Sequence, residues 1–502
     1  MHSSRTTPAP RVLFASAEAF PLAKTGGLGD VAAALPPALA GLGVDVRIVL
    51  PAYPQALELI ESRRVVSRLA LSCGGGVLIE GRMPDTGVHV YLYDAPALFR
   101  RRGSLYQDRW GNDWPDNHLR FGSFCHAIAA ISCGKAGLDW QPHIVHANDW
   151  HTGLVPALLA GDTDSPATLF TIHNMAFQGN FPLCVGPDLG LPACMLASNE
   201  LEFFGQLSFL KAGLRYGDRL TTVSPNYARE ILTPENGFGF EGLLNARKDD
   251  LVGILNGVDY NVWDPAVDRM IAKQYTADDV SGKAACKAAI QAELGLERSD
   301  APLIIFVNRI AHQKMADVVL AALPALLQEG RQFVLHGQGE KSLERAFEVA
   351  ASGYPGRVAV RIGYDESLAR RLTAAADMSL TASRFEPCGL TTMYAMRYGA
   401  LPVTRLIGGL VDTVVDAGSP ESGGQHGTGF VFDTETPEEM ARCVHRACQC
   451  FEGHHWRSIQ QSAMRRDFGW KRSAQRYADL YLQLITDKDR READETSVRM
   501  VA

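Results

Sequence analysis

Three groups of residues have the types and spacing needed to handle charge on a small anionic ligand. Ser383-Arg-Phe-Glu386-Pro-Cys388-Gly389-Leu390-Thr391 reads as a strand entering a turn and a helix leaving it. It displays Glu386 at a strand end, where a carboxylate can bind hydroxyls or stabilise positive charge developing at an anomeric carbon. Capping of the adjoining helix is the plainer use of such a carboxylate. Asn308-Arg309-Ile-Ala-His-Gln-Lys314 follows another apolar strand and offers a planar guanidinium fork and a point charge to phosphate oxygens. Lys24-Thr-Gly26-Gly27-Leu-Gly-Asp30 lies between a short apolar run and an alanine-rich helical stretch. Glycines there let backbone approach an anion, and the amides and dipole of the helix start stabilise it. Neither the P-loop pattern nor Gly-x-Gly-x-x-Gly occurs in it.

Two polar clusters, His146-Ala-Asn-Asp149-Trp-His151 and Thr171-Ile-His173-Asn174, also follow strands and are pocket candidates. Asp162-Thr-Asp164 matches a metal-clasp pattern but sits in a turn-rich segment and reads as a loop. Cys443, Cys448 and Cys450 lie near several histidines in a segment that reads as helix, without the Cys-x2-Cys spacing of zinc sites. No metal is expected there.

The elements that must position these residues alternate strand and helix. Strands are expected at Val12–Ala15, Val44–Leu50, Val88–Tyr93, Ile144–His146, Ala167–His173 and Arg219–Val223, with helices at Val31–Ala40 and after Asn117. The pattern pauses near Asn256-Gly-Val-Asp259. It restarts at Pro302–Val307, with further strands at Gln332–His336, Val358–Arg361, Met378–Ala382, Leu401–Thr404 and Thr428–Phe432, and helices at Glu366–Ala376 and Leu390–Tyr398. This predicts an α/β chain of two doubly wound halves around a cleft, with a hinge near Asn256–Asp259.

With 502 residues there is length for two to four domains, and 46% hydrophobic against 21% charged residues is ordinary for a globular enzyme. A net charge of −7 argues against broad nucleic-acid or anionic-membrane binding. The first ten residues lack a signal-peptide core and no long apolar run occurs, so a cytoplasmic protein with reduced thiols is expected.

In this order, the motifs closely resemble those of bacterial glycogen synthases and plant starch synthases, the ADP-glucose glycosyltransferases of the GT-B fold. The matching segments are Lys24–Asp30, His146–His151, Phe170–Asn174, Thr222–Pro225, Leu255–Asp259, Ile362–Tyr364 and Ser383–Leu390, spanning roughly residues 11–480. The resemblance implies two Rossmann-like domains, residues 1–258 on the glucan acceptor side and 259–480 on the donor side. A charged tail, 481–502, would pack back on the first domain or fray. It also implies retaining transfer of glucose from ADP-glucose to the 4-hydroxyl at a glucan's non-reducing end, without a metal or other cofactor.

Carried over by motif, Lys24, Gly26, Gly27 and Asp30 would contact the donor. Asp149, His173 and Asn174 would line the glucose and acceptor region, and Asn256 would shape the donor site. Arg309 and Lys314 would neutralise the diphosphate, and Tyr364 would stack on adenine. Glu386 would engage the hexose, with Cys388, Gly389, Leu390 and Thr391 supplying the adjoining turn. Of these, Glu386, Arg309, Lys314 and His173 are the expected catalytic groups.

Two departures touch the phosphate end. Met315 replaces the family's glycine after Lys314, and Leu406-Ile407-Gly-Gly-Leu410 replaces Arg-Thr-Gly-Gly-Leu, with Arg405 as the nearby basic residue. Alternatives are a related transferase using UDP-glucose or another acceptor, a non-catalytic glucan-binding scaffold, and a two-domain oxidoreductase. The missing dinucleotide fingerprint weighs against the last.

Overall fold

A computed structural model describes residues 9–162, 164–418 and 427–501, with side chains to 494. The middle residue of the Asp162–Asp164 turn therefore lies outside the described residues. The chain forms two units: one runs to Gly257 and resumes at Trp470, the other is Val258–Gly469.

Among the described residues, the first unit is built on a nine-stranded sheet. Its spatial order is Leu251–Gly253, Arg219–Thr222, Ala167–Ile172, Ile144–Asn148, Arg11–Ala15, Asp45–Pro51, His89–Asp94, Gly74–Arg82 and Glu61–Leu71. The strands through His89–Asp94 are parallel, and the last two join by antiparallel pairing. Phe14, Ile48, Leu92, Val145, Leu169 and Leu220 are fully buried, as expected of parallel strands covered on both faces. Helix Gly27–Ala40 runs unbroken through Pro36 and Pro37, although those residues disturb the helical pattern in the sequence.

The second unit carries six parallel strands among the described residues, in the order Val358–Ile362, Gln332–Gly337, Leu303–Val307, Met378–Thr381, Leu401–Arg405 and Phe430–Phe432. Numbered along the chain this is 3-2-1-4-5-6, the doubly wound order whose ligands bind where strand order reverses. That switch point lies between Leu303–Val307 and Met378–Thr381. In the first unit the corresponding point lies between Arg11–Ala15 and Ile144–Asn148.

The boundary of the second unit departs from expectation. Residues from Trp470 onward form one helix, Trp470–Val501, belonging to the first unit, so the second unit ends at Gly469 rather than at 480. The reason is an apolar face at Trp470, Ala474, Tyr477, Tyr481 and Leu484, which joins the first unit's core. The helix also adds a polar anchor. Tyr481 hydroxyl and His146 Nδ1 are 2.8 Å apart, His146 Nε2 meets Thr171 at 2.6 Å, and Thr171 meets Thr221 at 2.5 Å. This buried line crosses three neighbouring strands. Among the described residues no helix is long and apolar enough to cross a membrane.

Burial lowers the His146 pKa to about 3, so the ring is neutral and depends on these neighbours for its hydrogen bonds. Tyr481→Phe leaves one buried ring nitrogen unsatisfied, and a loss of about 1–3 kcal/mol is expected. Urea unfolding should show a lower midpoint with an unchanged slope; an unchanged midpoint would show the phenol to be dispensable.

Candidate active site

In the first unit the site begins with a residue outside the sequence motifs. Glu18 follows the first strand, is buried, and accepts hydrogen bonds from Thr25 N (2.7 Å), Thr25 Oγ1 (2.6 Å), Gly26 N (3.1 Å) and the Tyr106 hydroxyl (2.5 Å). The amides of Thr25 and Gly26 therefore neutralise the protein's own carboxylate. Those two amides are not open to an external phosphate, which narrows the expected cradle to the helix start at Gly27. Gly29 permits the arrangement, since a Cβ there would lie 3.0 Å from the Lys24 stem and 3.3 Å from Glu18. Lys24 Nζ pairs with Asp30 at 2.7 Å, and Gly27 opens the helix.

Across the switch point, Asp149 follows Ile144–Asn148 with φ 62° and ψ 177°. Such backbone is close to glycine-only and costs about 1–3 kcal/mol in another residue, a strain that clusters at functional sites. Burial raises the Asp149 pKa to about 7; the amides of His173, Trp150 and Asn174 oppose the shift, and the charge of Glu18 adds to it. Asp149 Oδ1 is buried without a hydrogen-bond partner among the described residues.

Asn148 fixes the tautomer of His173. Its amide nitrogen donates to the carbonyls of Ala15 and His146, each at 3.1 Å, so its oxygen must accept from His173 Nε2 at 3.0 Å. His173 then presents Nδ1 as an acceptor, and burial lowers its pKa to about 3. At neutral pH it is a hydrogen-bonding group rather than a proton donor. Asn174 is half-buried and its Oδ1 closes a turn on Ala176 N at 3.0 Å. Asn256 is buried at the end of the first unit's opening segment, its Oδ1 unpartnered among the described residues.

In the second unit, Lys314 and Glu386 meet across the switch point. Lys314 Nζ and Ser383 Oγ both donate to Glu386 Oε2, the latter at 2.8 Å. Glu386 is buried, and Arg309 lies within its electrostatic reach while keeping exposed surface and donating to Gln313 at 2.9 Å. Arg384 fixes the two turns against each other. It forms a two-pronged pair with Asp317, both contacts 2.9 Å, and its amide donates to the Gln313 carbonyl at 2.8 Å. Cys388 and Gly389 are buried in the turn, and half-buried Leu390 and Thr391 open helix Leu390–Arg397. Tyr364 stands at the carboxyl end of the edge strand, 62% exposed, its hydroxyl 3.2 Å from Glu366.

Both departures resolve into packing. Met315 has left-handed backbone, φ 51° and ψ 32°, and its side chain is fully buried. It faces the core rather than solvent beside Lys314. Arg405 donates to the carbonyls of Ser383 (3.3 Å), Arg384 (2.9 Å) and Asp433 (2.8 Å) and pairs with Glu435 at 2.9 Å. It braces the Glu386 turn and does not stand in as a phosphate cation. Half-buried Ile407 precedes Gly408, which has φ 52° and whose added Cβ would fall 1.8 Å from the Glu386 carbonyl oxygen. The close approach to Glu386 rests on that glycine.

Residues 11–246 match a family described as "Starch synthase catalytic domain", and residues 290–455 match "Glycosyl transferases group 1". The chain is 52% identical over 491 residues to a glycogen synthase of Burkholderia thailandensis, covering 96% of this chain and 92% of that one. It is 49% identical to a glycogen synthase of Paramagnetospirillum magneticum, covering 94% and 97%. The chain belongs to the glycogen synthase family. The catalytic domain of starch synthase IV from Arabidopsis thaliana, solved bound to ADP and acarbose, superimposes with TM-score 0.87 at 31% identity, covering 96% of this chain and 100% of that one. The fold is GT-B, and the family's members are hexosyltransferases.

Glu18, Tyr106, Asn148, Ser383, Asp317 and Arg384 are the positioning residues that sequence reasoning missed. A lone acid just after the first strand was the available signal for Glu18. Asn148, Ser383 and Arg384 lie inside quoted motifs but were given no role there, and Tyr106 and Asp317 act through contacts distant in sequence.

Two outcomes follow. Because Asp149 titrates near pH 7 when folded and near 3.8 when unfolded, its contribution is present below the unfolded value. It is lost as pH rises from about 4 through 7, by up to about 4 kcal/mol. The stability of Asp149→Asn relative to the parent should therefore climb between pH 5 and 8 in urea titrations; parallel pH profiles would contradict the buried carboxyl. Met315→Gly relieves about 1 kcal/mol of left-handed strain but forfeits a buried side chain worth more. Its melting temperature should fall while the donor KM stays put, and a changed KM would return Met315 to the site.

Proposed function

We propose that the protein transfers the glucosyl unit of ADP-glucose to the 4-hydroxyl at the non-reducing end of an α-1,4-glucan, with retention. The observation that carries this reading is the Lys314–Glu386–Ser383 cluster at the switch point, with Arg309 beside it. Family membership supplies the reaction class.

Breaking the bond between C1 and the β-phosphate oxygen sends an electron pair to the departing diphosphate. Arg309 and Lys314 offset that charge where it develops, in a site already ordered for it. The acceptor oxygen forms the new bond to C1 from the same face, and its proton passes to the departing phosphate oxygen. Glu386 acts as a positioner. Its Oε2 is taken by Lys314 and Ser383, leaving Oε1 for a sugar hydroxyl. The exposed ring of Tyr364 offers a stacking face for a nucleotide base.

The test is transfer of labelled glucose from ADP-glucose and UDP-glucose to glycogen. Incorporation from ADP-glucose is expected, with kcat falling about 10²–10³-fold or more in Glu386→Ala and Lys314→Ala. Preference for UDP-glucose would overturn the donor assignment, and incorporation from neither would leave the scaffold reading. A glycosyl adduct trapped on Glu386 would replace same-face attack by a covalent route.

A further inference from the structure

The segment between helices Pro96–Phe99 and Asn117–Ser132 has no regular structure yet is tightly built. Buried Arg120 holds it from below, donating to the Leu98 carbonyl (2.8 Å), Asn117 Oδ1 (2.6 Å) and the Leu105 carbonyl (3.0 Å). Asn117 Nδ2 and Trp114 N both reach the Tyr106 carbonyl at 3.1 Å. Asp108 Oδ1 accepts from Trp110 N (2.8 Å) and Asn112 N (3.0 Å), turning the chain so that Trp110 points out. Long segments fixed in this way, rather than paired into a sheet, are commonly functional.

The loop surrounds a cavity of about 630 Å³ lined by Arg101, Arg102, Arg109, Trp110 and Trp114 together with Asp108 and Asp116. The Arg109 guanidinium lies 4.0 Å over one face of the Trp110 ring, which is nevertheless 71% exposed, so its other face meets solvent. Arg101 is held by Asp116 at 2.7 and 2.6 Å and lies 5.2 Å above Trp114. An indole braced by a guanidinium is a rigid apolar platform, and the surrounding carboxylates and planar N–H forks suit vicinal hydroxyls. That combination fits a pyranose ring, which has an apolar face and a polar rim. Three guanidiniums against two carboxylates leave the lining only slightly basic, so the indole platform rather than net charge distinguishes it.

Tyr106 supplies the connection. The same loop that presents Trp110 outward sends the Tyr106 hydroxyl inward to Glu18, which holds the Lys24 loop. We propose that the Trp110 pocket is a second binding site for an α-glucan chain, holding sugar units distant from the one being extended. This rests on the glucan-transferase reading above, since a polymeric acceptor has further units that need a surface.

Electrophoresis of the whole protein through gels with and without glycogen reads binding in the absence of turnover. Trp110→Ala should bind glycogen about tenfold more weakly, as expected for an anchor tryptophan, and Trp110→Phe should retain most of the affinity. With maltotriose as acceptor the variant should transfer glucose at the parental rate, while its KM for glycogen rises several-fold. Melting temperature should not move. Equal retardation of parent and Trp110→Ala would overturn the proposal, as would parental retardation abolished by millimolar inorganic phosphate, which would make the pocket an anion site. Failure of transfer with the Trp110 effect intact would sink the transferase reading alone.

Discussion

A carboxylate taken out of water costs several kcal/mol unless donors or a cation meet it. Each unit of this chain buries one beside the switch point of its sheet, and the local structure follows from satisfying it. Glu18 takes two amides and two hydroxyls, which pins the Lys24 loop and ties in the distant Tyr106 loop. Glu386 takes a lysine and a serine hydroxyl, so the turns that follow two neighbouring strands are held at one separation. Around Glu386 the Arg384–Asp317 and Arg405–Glu435 pairs lock the same turns through backbone carbonyls. Removing one partner of such a group leaves a charge stranded in low dielectric, which is why these contacts govern geometry as well as stability.

The strands that carry the site were legible because parallel strands buried on both faces read as short apolar runs between turn residues. Leu303–Val307 and Met378–Thr381 lie within a residue or so of their expected limits. The antiparallel pair Glu61–Leu71 and Gly74–Arg82 escaped notice. Its outer strand is largely exposed and rich in arginine and serine, and its partner opens on three glycines, so neither alternates clearly. The Trp470–Val501 helix was divided at 480, its first part given to the second domain and the rest to a tail that packs back or frays, because charge dominates its end while its apolar stripe lies in its first half. Candidate site residues within contiguous motifs were legible by the same logic. Glu18 and Asp317 act by reaching a partner on another segment, and a lone sequence does not encode that reach locally.

Met315 and Arg405 show how a motif can change without its charges moving. The left-handed backbone at 315 suits glycine, but a fully buried methionine recovers more by burial than the conformation costs. The side chain leaves through the core side of the turn, so Lys314 keeps its place opposite Glu386. Arg405 is a cation by formal charge, yet three carbonyls and Glu435 consume its donors. Sequence comparison counts both as changes at a phosphate site. In three dimensions one is a core residue and the other a brace.

Three polar groups on segments that follow strands of the first unit have a common sign. His173 offers a lone pair at Nδ1, while Asp149 Oδ1 and Asn256 Oδ1 are acceptors without partners among the described residues. Leaving an acceptor unmet costs about 1–3 kcal/mol, so several retained on segments that follow the strands argue for a ligand that brings donors. A phosphate brings none when ionised, whereas a sugar brings one on every hydroxyl. Lys24 already shares its charge with Asp30, and the nearby amides of Thr25 and Gly26 are spent on Glu18. These observations support the proposed division of labour, in which groups of the first unit meet hydroxyls while Arg309 and Lys314 of the second unit meet the diphosphate.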